Sequence, residues 1–134
     1  NVRAELAVSS SAKDTDFIVR ISDVYPDGRS ILIVDSIRRA RFRDGFEKEV
    51  LMEQEKIYKV AFDLGWMSQI FNRGHRIRVT VASTGAPFYE PNPNTGEPIT
   101  IEFPNNAVIA KNKVHHERTF SSRIIAPVIP PVRQ

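Results

Sequence analysis

The stretch FNRGHRIRVTVAST, residues 71–84, decides the fold class of this chain. It opens on a turn at residues 72–74 and then alternates strictly between apolar and polar side chains. Its apolar and polar positions interleave: Ile77, Val79 and Val81 against Arg76, Arg78 and Thr80. Period-two alternation rich in β-branched residues predicts a strand with one buried face. Because this is the longest clean alternation in the chain, we expect the strand at the centre of a sheet.

Further strands are predicted on both sides of this stretch. They cover residues 2–9, 17–25, 30–37, 38–43, 56–63, 107–114 and 119–129. Between the second and third, the sequence YPDG predicts a hairpin turn, because Pro26 presets its own φ and Gly28 accepts a positive φ. Seven or eight short strands separated by turns indicate an all-β fold, a β-sandwich or a jelly roll, that occupies residues 1–134 as a single domain.

Three segments are predicted to lack strands. Residues 47–55 are polar and charged, which favours a loop with at most one helical turn. Residues 66–71 carry Trp66, Met67, Ile70 and Phe71 at spacings of three and four, which predicts one short helical turn that plugs an end of the core. Residues 85–104 hold five of the nine prolines, so we expect a long ordered loop there.

Composition excludes several classes of function. The net charge of +3 on 134 residues is too mild to predict a nucleic-acid partner. No apolar run approaches the ~20 residues of a membrane-spanning helix, so no membrane partner is expected. The absence of cysteine excludes disulfides, a thiolate nucleophile and a Cys-ligated zinc. No cofactor is predicted, the compartment is left open, and the start at Asn1 without a Met leads us to expect a piece of a longer protein.

The serines of this chain lack the setting that a hydrolase nucleophile requires. A nucleophile elbow needs Gly-x-Ser-x-Gly on a strand-to-helix turn. Residues 28–32 (GRSIL) contain only the first half of that pattern around Ser30, and Ser83 in STG lacks the leading glycine. Neither serine precedes a predicted helix. We therefore predict no catalytic residue.

Two groups of side chains are candidates for a metal site. His115 and His116 are adjacent, so on a strand they point to opposite faces, and His75 has no partner at helical spacing. Asp14 and Asp16 set two carboxylates on one side of an extended chain, but calcium needs six to eight oxygen ligands. The sequence favours a turn or core role for His75 and turn capping or arginine pairing for the aspartates. No metal-binding residue is predicted.

The basic segment RRARFR and three aromatic residues remain as candidates. Arg39, Arg41 and Arg43 would line one face of a strand, but acidic residues lie on both sides of the segment. Such compensation favours cross-strand pairs or a protein interface over nucleic-acid binding. Trp66 is expected in the core, whereas Phe88 and Tyr89 in the Pro-rich loop leave sugar stacking open as an alternative.

Six blocks of sequence carry a resemblance to a known family. They are SSS at 9–11 with DTDF at 14–17, DVYPDGR at 23–29, RARFR at 39–43, FNRGHRIR at 71–78, NPNTG at 92–96, and SRI at 122–124 with PVIP at 127–130. In this order and spacing they resemble the C-terminal non-catalytic domain of the X-Pro dipeptidyl-peptidase and cocaine esterase family of serine hydrolases. That family also includes glutaryl-7-aminocephalosporanic acid acylases and α-amino-acid ester hydrolases.

The resemblance implies a galactose-binding-domain-like jelly roll that packs on an α/β-hydrolase catalytic domain of the same protein, where the Ser-Asp-His triad lies. The chain resembles the later part of that domain and lacks the family's opening strands. Where many members have Ser-Ser-Asn-Phe-Pro after the central strand, it has STGAP at residues 83–87, which leaves the parent's activity open.

The expected function is that of an accessory domain that supports the catalytic domain and the substrate cleft. A homo-oligomer is also compatible with this function. The alternative is a free-standing carbohydrate-binding module. Several charged residues at predicted strand ends are then expected to form a network of charge-assisted hydrogen bonds. They are Asp14 or Asp16, Asp23, Arg41, His75 and Arg76.

Overall fold

The computed structural model describes residues 1–98 and 106–130 of the protein. Within these ranges the chain forms seven β-strands and one short 3-10 helix, and it contains no α-helix. The strands are β1 (Val2–Ser10), β2 (Asp16–Val24), β3 (Ser30–Arg39), β4 (Tyr58–Gly65), β5 (Arg76–Ala82), β6 (Asn112–His115) and β7 (Arg123–Ile125), and the 3-10 helix is Ala40–Phe42. No helix in the described part of the chain is long and apolar enough to cross a membrane.

The strands form two antiparallel sheets. In the first sheet, β1 pairs with β4 along one edge, while β6 and β7 follow one another along its other edge. In the second sheet, β2 lies between β3 and β5. The prediction of an all-β, β-sandwich fold is confirmed.

The core lies between the two sheets and is built from alternate residues of their facing strands. Its buried apolar side chains are Val2, Ala4, Leu6, Val8, Phe17, Val19, Ile21, Ala40, Met52, Val60, Phe62 and Leu64. Fully burying one of the larger side chains stabilises the fold by ~1.5–3 kcal/mol. The period-two pattern of the sequence therefore identifies the inner faces of β1, β2 and β4 correctly.

The hairpin between β2 and β3 forms as predicted. Gly28 has a φ of +93° and donates its N–H to the carbonyl of Tyr25 at 3.0 Å. The N–H of Tyr25 in turn donates to the carbonyl of Arg29 at 2.9 Å, which closes the turn. A side chain at position 28 would strain this backbone conformation, since L-residues rarely adopt it.

The strand expected at the centre of a sheet, β5, lies at an edge. It pairs with β2 alone among the described strands, and two of its apolar residues, Val79 and Ile77, are 44% and 61% exposed. The predicted alternation of the β5 side chains is confirmed, because Ile77 and Val79 both pair with residues of β2 that face the core. The central position belongs to β2, whose sequence alternates less cleanly because both of its faces are covered.

The segment RRARFR does not form a separate strand. Arg38 and Arg39 end β3, and residues 40–42 then form the 3-10 helix. The predicted face of three aligned arginines is therefore absent, because each points to a different partner. Arg39 bonds Asp16, Arg41 bonds Asp14, and Arg43 bonds the carbonyl of Ala40.

Other boundaries also differ from expectation. Residues 66–71 contain no helical turn: Met67 and Phe71 pack against the core, whereas Trp66 is 86% exposed. Residues 47–55 form an irregular loop, as favoured. The last two strands are shorter than predicted, and residues 99–104 of the predicted Pro-rich loop lie outside the described residues.

Candidate functional site

A buried ion pair joins the turn after β1 to the 3-10 helix after β3. Arg41 donates its backbone N–H to Asp14 Oδ1 at 2.9 Å and its Nε–H to Asp14 Oδ2 at 2.8 Å. Both side chains are buried, with 2% and 0% of their surfaces exposed. The remaining guanidinium nitrogens donate to Glu49 and to the carbonyl of Glu97. The pair therefore fixes the ends of β1, β3 and the Pro-rich loop relative to one another.

Asn92 links this pair to a second one. Its side-chain amide donates to Asp14 Oδ2 at 2.9 Å and to Asp16 Oδ1 at 3.0 Å. Asp16 also accepts two hydrogen bonds from Arg39, at 2.9 and 3.2 Å. These five residues, Asp14, Asp16, Arg39, Arg41 and Asn92, form what we call the arginine–aspartate cluster.

The arginine–aspartate cluster is not built as a calcium site. The carboxylate oxygens of Asp14 and Asp16 already accept hydrogen bonds from two guanidinium groups and one amide. The positive charges of Arg39 and Arg41 occupy the position that a cation would need and would repel it. In the described ranges, no three His, Cys, Asp or Glu side chains come close enough together to hold a metal ion.

A second polar cluster lies at the other end of β2. His75 Nδ1 lies 2.8 Å from Asp23 Oδ1 and 3.0 Å from Asp23 Oδ2, and Asp23 is fully buried. Gln69 donates its side-chain amide to Asp23 Oδ2 at 3.2 Å. The ring of Tyr25 packs on the imidazole with 4.2 Å between centroids. Asp23, Gln69, His75 and Tyr25 form what we call the histidine cluster.

The predicted network is therefore two separate clusters. Asp14, Asp16 and Arg41 belong to the first, and Asp23 and His75 belong to the second, with the length of β2 between them. Arg76 belongs to neither: it is exposed, and it forms no ion pair with any residue that the structure describes. Its side chain leaves the outer face of β5, where it pairs with Val24 rather than with Asp23.

A serine, a histidine and a carboxylate come near one another elsewhere in the fold. Ser9 Oγ lies 3.0 Å from His115 Nε2, and His115 Nδ1 lies 3.8 Å from Glu117 Oε1. This group cannot act as a catalytic triad. Ser9 is 1% exposed within β1, so a substrate cannot reach its Oγ, and the carboxylate is beyond hydrogen-bond distance of the imidazole.

The two serines singled out from the sequence, Ser30 and Ser83, do not form a nucleophile elbow either. Ser30 is exposed at the start of β3, and Ser83 accepts a hydrogen bond from Asn112 at 2.7 Å. Neither precedes a helix in the described part of the chain. Two shallow depressions, with volumes of about 290 and 340 Å³, lie on the surface, and neither is lined by Ser9, His75 or His115.

The two aromatic residues of the Pro-rich loop lie in different environments. Phe88 is 85% exposed, whereas Tyr89 lies over the outer face of the second sheet, close to Gly85 and Ile18. Partial burial raises the pKa of Tyr89, and the nearby carboxylate of Asp35 acts in the same direction. The pair therefore does not present two rings side by side to a sugar.

On the outer face of the first sheet, Glu5 of β1 links the two flanking strands. Its Oε2 accepts a hydrogen bond from Arg123 Nε of β7 at 2.9 Å and lies 3.5 Å from Lys59 Nζ of β4. The hydrogen bond from Arg123 is the main cause that holds the pKa of Glu5 below its ordinary value. Through these contacts Glu5 joins β1 to both of the strands that flank it here.

Comparison with known proteins identifies the family. Residues 1–125 match the family of the X-Pro dipeptidyl-peptidase C-terminal non-catalytic domain. The chain belongs to this family. In this X-Pro dipeptidyl-peptidase C-terminal domain, Asp14, Arg41, Asp23 and His75 line neither of the two surface depressions.

The relatives are hydrolases that are much longer than this chain. It is 43% identical over 128 residues to cocaine esterase of Rhodococcus sp. strain MB1 Bresler. The aligned region covers 96% of this chain and 22% of the esterase. Among solved structures, an aminopeptidase from a marine sediment Thaumarchaeota archaeon has a TM-score of 0.87 at 30% identity. An α-amino acid ester hydrolase has a TM-score of 0.84 at 26% identity. Both comparisons cover 92% of this chain and 22% of the other.

Sequence reasoning missed several members of the two clusters. Asn92 lies in the predicted long loop and Gln69 in the predicted helical turn, and neither residue type predicts a buried partner. Arg39 was assigned to a row of arginines on a strand. The signal available for Asn92 is its place in the block NPNTG of the family resemblance, since its side-chain amide carries two N–H donors that can bond carboxylates.

Proposed function

We propose that this domain is the accessory β-sandwich of a serine hydrolase, and that it supports the catalytic domain and one wall of the substrate cleft. The parent enzyme would act on an ester or amide bond through an acyl-enzyme, with serine as nucleophile and histidine as base. The relatives named above, an esterase, an aminopeptidase and an ester hydrolase, support this reaction class. The residues that break the bond would lie in polypeptide outside these 134 residues.

The observation that carries the proposal is the use of the charged residues inside the domain. A catalytic carboxylate or histidine must reach a substrate, but Asp14, Asp16 and Asp23 are buried and bonded to Arg41, Arg39 and His75. Such pairs contribute to the shape of the domain, and the three carboxylates that they hold are not free to act as an acid or a base.

The experiment compares three proteins on an activated ester such as a 4-nitrophenyl ester. They are the full-length polypeptide, the 134-residue chain alone, and the full-length polypeptide that lacks these residues. We expect hydrolysis by the first and none by the second. We also expect the third to lose activity or solubility, because its catalytic domain would lack its support. Turnover by the chain alone would overturn the proposal.

The carbohydrate-binding alternative is not favoured, since Tyr89 packs on the sheet and leaves Phe88 without a second ring. Calorimetric titration with mono- and oligosaccharides tests it directly. Millimolar or tighter binding that is lost in Phe88→Ala would restore this alternative.

A further inference from the structure

Arg38, the next-to-last residue of β3, forms no ion pair with any residue that the structure describes. The other arginines in these ranges that are buried or half-buried each pair with a carboxylate: Arg20, Arg39, Arg41 and Arg43. The arginines that form no ion pair elsewhere in the described ranges are exposed, so water solvates them. Arg38 is half-buried, and a cation that is partly shielded from water gains from a bound anion.

The guanidinium of Arg38 is held by aromatic rings. Its Cζ lies 4.5 Å from the ring centroid of Phe46 and 5.9 Å from that of Phe62. Its Nη1 donates to the carbonyl of Phe42 at 3.4 Å, which is long for such a bond. Cation–π contacts stabilise the charge and restrict the position of the group, but they provide no acceptor for its N–H groups.

The Nε side of this guanidinium donates to no acceptor in the described part of the chain. Nε is buried without a hydrogen-bond partner, and the bond to Phe42 uses Nη1 alone. Nε–H and Nη2–H lie side by side in the planar fork of an arginine, where they match the two oxygens of a carboxylate. Phe46 is 74% exposed, so its ring can turn aside and open this side of the guanidinium without leaving the core.

The larger of the two surface depressions opens beside Arg38. Its volume of about 340 Å³ lies in the range of small-molecule sites. Its walls are mostly apolar or aromatic side chains: Ile37, Phe42, Phe46 and Tyr89. A ligand in this depression would meet a guanidinium at one end and these walls around it. It would therefore need both an anionic group and an apolar body.

The charges around the depression favour a ligand with a single negative charge. Arg39 lines it too, but its Nε lies 2.9 Å from Asp16 Oδ1, and this pair contributes little net charge. Glu90 also lines it, with an exposed side chain that water screens. Arg38 is then the one cation to be neutralised there. A carboxylate supplies one charge, whereas a phosphate monoester would bring up to two.

We propose that the depression beside Arg38 binds a carboxylate that carries an aromatic or branched aliphatic body. Arg38 donates its Nε–H and Nη2–H to the two carboxylate oxygens, while Ile37, Phe42 and Phe46 pack on the body of the ligand. No bond is made or broken at this site. The inference goes beyond the proposed function and does not depend on it, so either can fail while the other stands.

Calorimetric titration of the full-length protein tests the chemical class of the ligand. The probes are benzoate, benzamide, which has the same ring without the charge, and inorganic phosphate. We expect saturable binding of benzoate in the millimolar range, and binding of benzamide that is weaker by about tenfold or more. Equal binding of benzamide, stronger binding of phosphate, or no saturation by benzoate up to about 20 mM would each overturn the proposal.

Amide hydrogen exchange with and without benzoate locates the binding, because the catalytic site of a hydrolase can also hold a carboxylate. We expect benzoate to slow exchange in residues 37–46 relative to β1, which serves as the internal reference. Arg38→Gln should abolish this protection. The matched control is Arg73→Gln, which removes an exposed arginine that lines neither depression, and it should keep the protection.

Arg38→Lys separates the fork of hydrogen bonds from the charge, and it guards against a variant that simply fails to fold. Lysine keeps the positive charge beside Phe46 but offers no planar pair of donors. We expect this variant to bind benzoate about tenfold more weakly than the wild type. Protection of residues 37–46 by benzoate that is unchanged in both Arg38→Gln and Arg38→Lys would overturn the proposal.

Discussion

Arg41 and Asp14 form an ion pair in which neither side chain reaches solvent, although they are 27 residues apart in the chain. Arg41→Ala would leave the Asp14 carboxylate buried with only Asn92 as its side-chain donor. We expect a loss of ~3–5 kcal/mol in the free energy of unfolding, because a buried charge without its partner is strongly unfavourable. Urea denaturation measures it.

The matched control for this pair is Arg29→Ala, which breaks an ion pair of similar length, 2.7 Å, between exposed side chains. We expect a much smaller change there, since exposed pairs are screened by solvent. Similar losses in the two variants would contradict a special role for the arginine–aspartate cluster.

His75 anchors the start of β5 to the end of β2. In His75→Ala, Asp23 would keep Gln69 as its side-chain donor but lose its shortest hydrogen bond. We expect a loss of ~1.5–3 kcal/mol, the range for hydrogen bonds to charged groups. The Tm of His75→Ala is compared with that of His116→Ala, where the imidazole is exposed and the effect should be small. No difference between them would contradict the role of the histidine cluster.

Ser9→Ala separates structural from catalytic use of the serine near His115. The variant loses one hydrogen bond of 3.0 Å, so we expect ~1 kcal/mol of destabilisation. Ester hydrolysis by the full-length protein should be unchanged, because Ser9 is buried in β1. A loss of turnover without a loss of stability would show that this assignment is wrong.

Gly85 lies directly under the ring of Tyr89. A Cβ at position 85 would lie 2.6 Å from Tyr89 Cδ2 and 3.0 Å from Ile18 Cδ1, so Gly85→Ala must displace the ring. We expect ~1–3 kcal/mol of destabilisation from overpacking. In the double variant with Tyr89→Leu, the cost of the alanine should fall, and a double-mutant cycle measures that coupling. Additive effects would contradict the contact.

Glu5 makes the stability of the first sheet depend on pH in the acidic range. Its pKa in the folded state lies below the ordinary value of 4.5, chiefly because Arg123 donates a hydrogen bond to it. The stability it contributes is therefore present above pH 4.5 and is lost as the pH falls through the lower folded pKa. Glu5→Gln should show a smaller loss between neutral and acid pH in urea titrations. An unchanged acid profile would contradict this role.

The fold class and most strand positions could be predicted from the sequence, because the inner faces of β1, β2 and β4 follow period two. The place of β5 in its sheet could not. Ile77 and Val79 alternate like buried residues, and alternation reports which side a residue faces, not whether another layer covers it. The same limit explains Trp66, whose apolar neighbours predicted burial although the segment turns it outward.

The polar clusters could be predicted only in part. Asp14, Asp23, Arg41 and His75 are residue types that seek charged partners, and their place at strand ends indicated bonding. The pairing itself depends on how loops of distant sequence meet. Asn92 shows this, because it bonds Asp16 and Asp14, which lie 76 and 78 positions earlier in the chain. The residues next to Asn92 in the sequence do not indicate which distant carboxylates it bonds.

The irregular loop between the 3-10 helix and β4 is tied down by its own backbone. Val50, Met52 and Glu55 donate N–H groups to the carbonyls of Arg41, Lys13 and Ser10, at 2.7–2.9 Å. A protease must draw several consecutive residues of its target into an extended form, and these bonds oppose that. Trypsin should therefore spare this loop, despite its lysines, until the whole domain opens, which makes limited digestion a simple check of correct folding in a purified preparation.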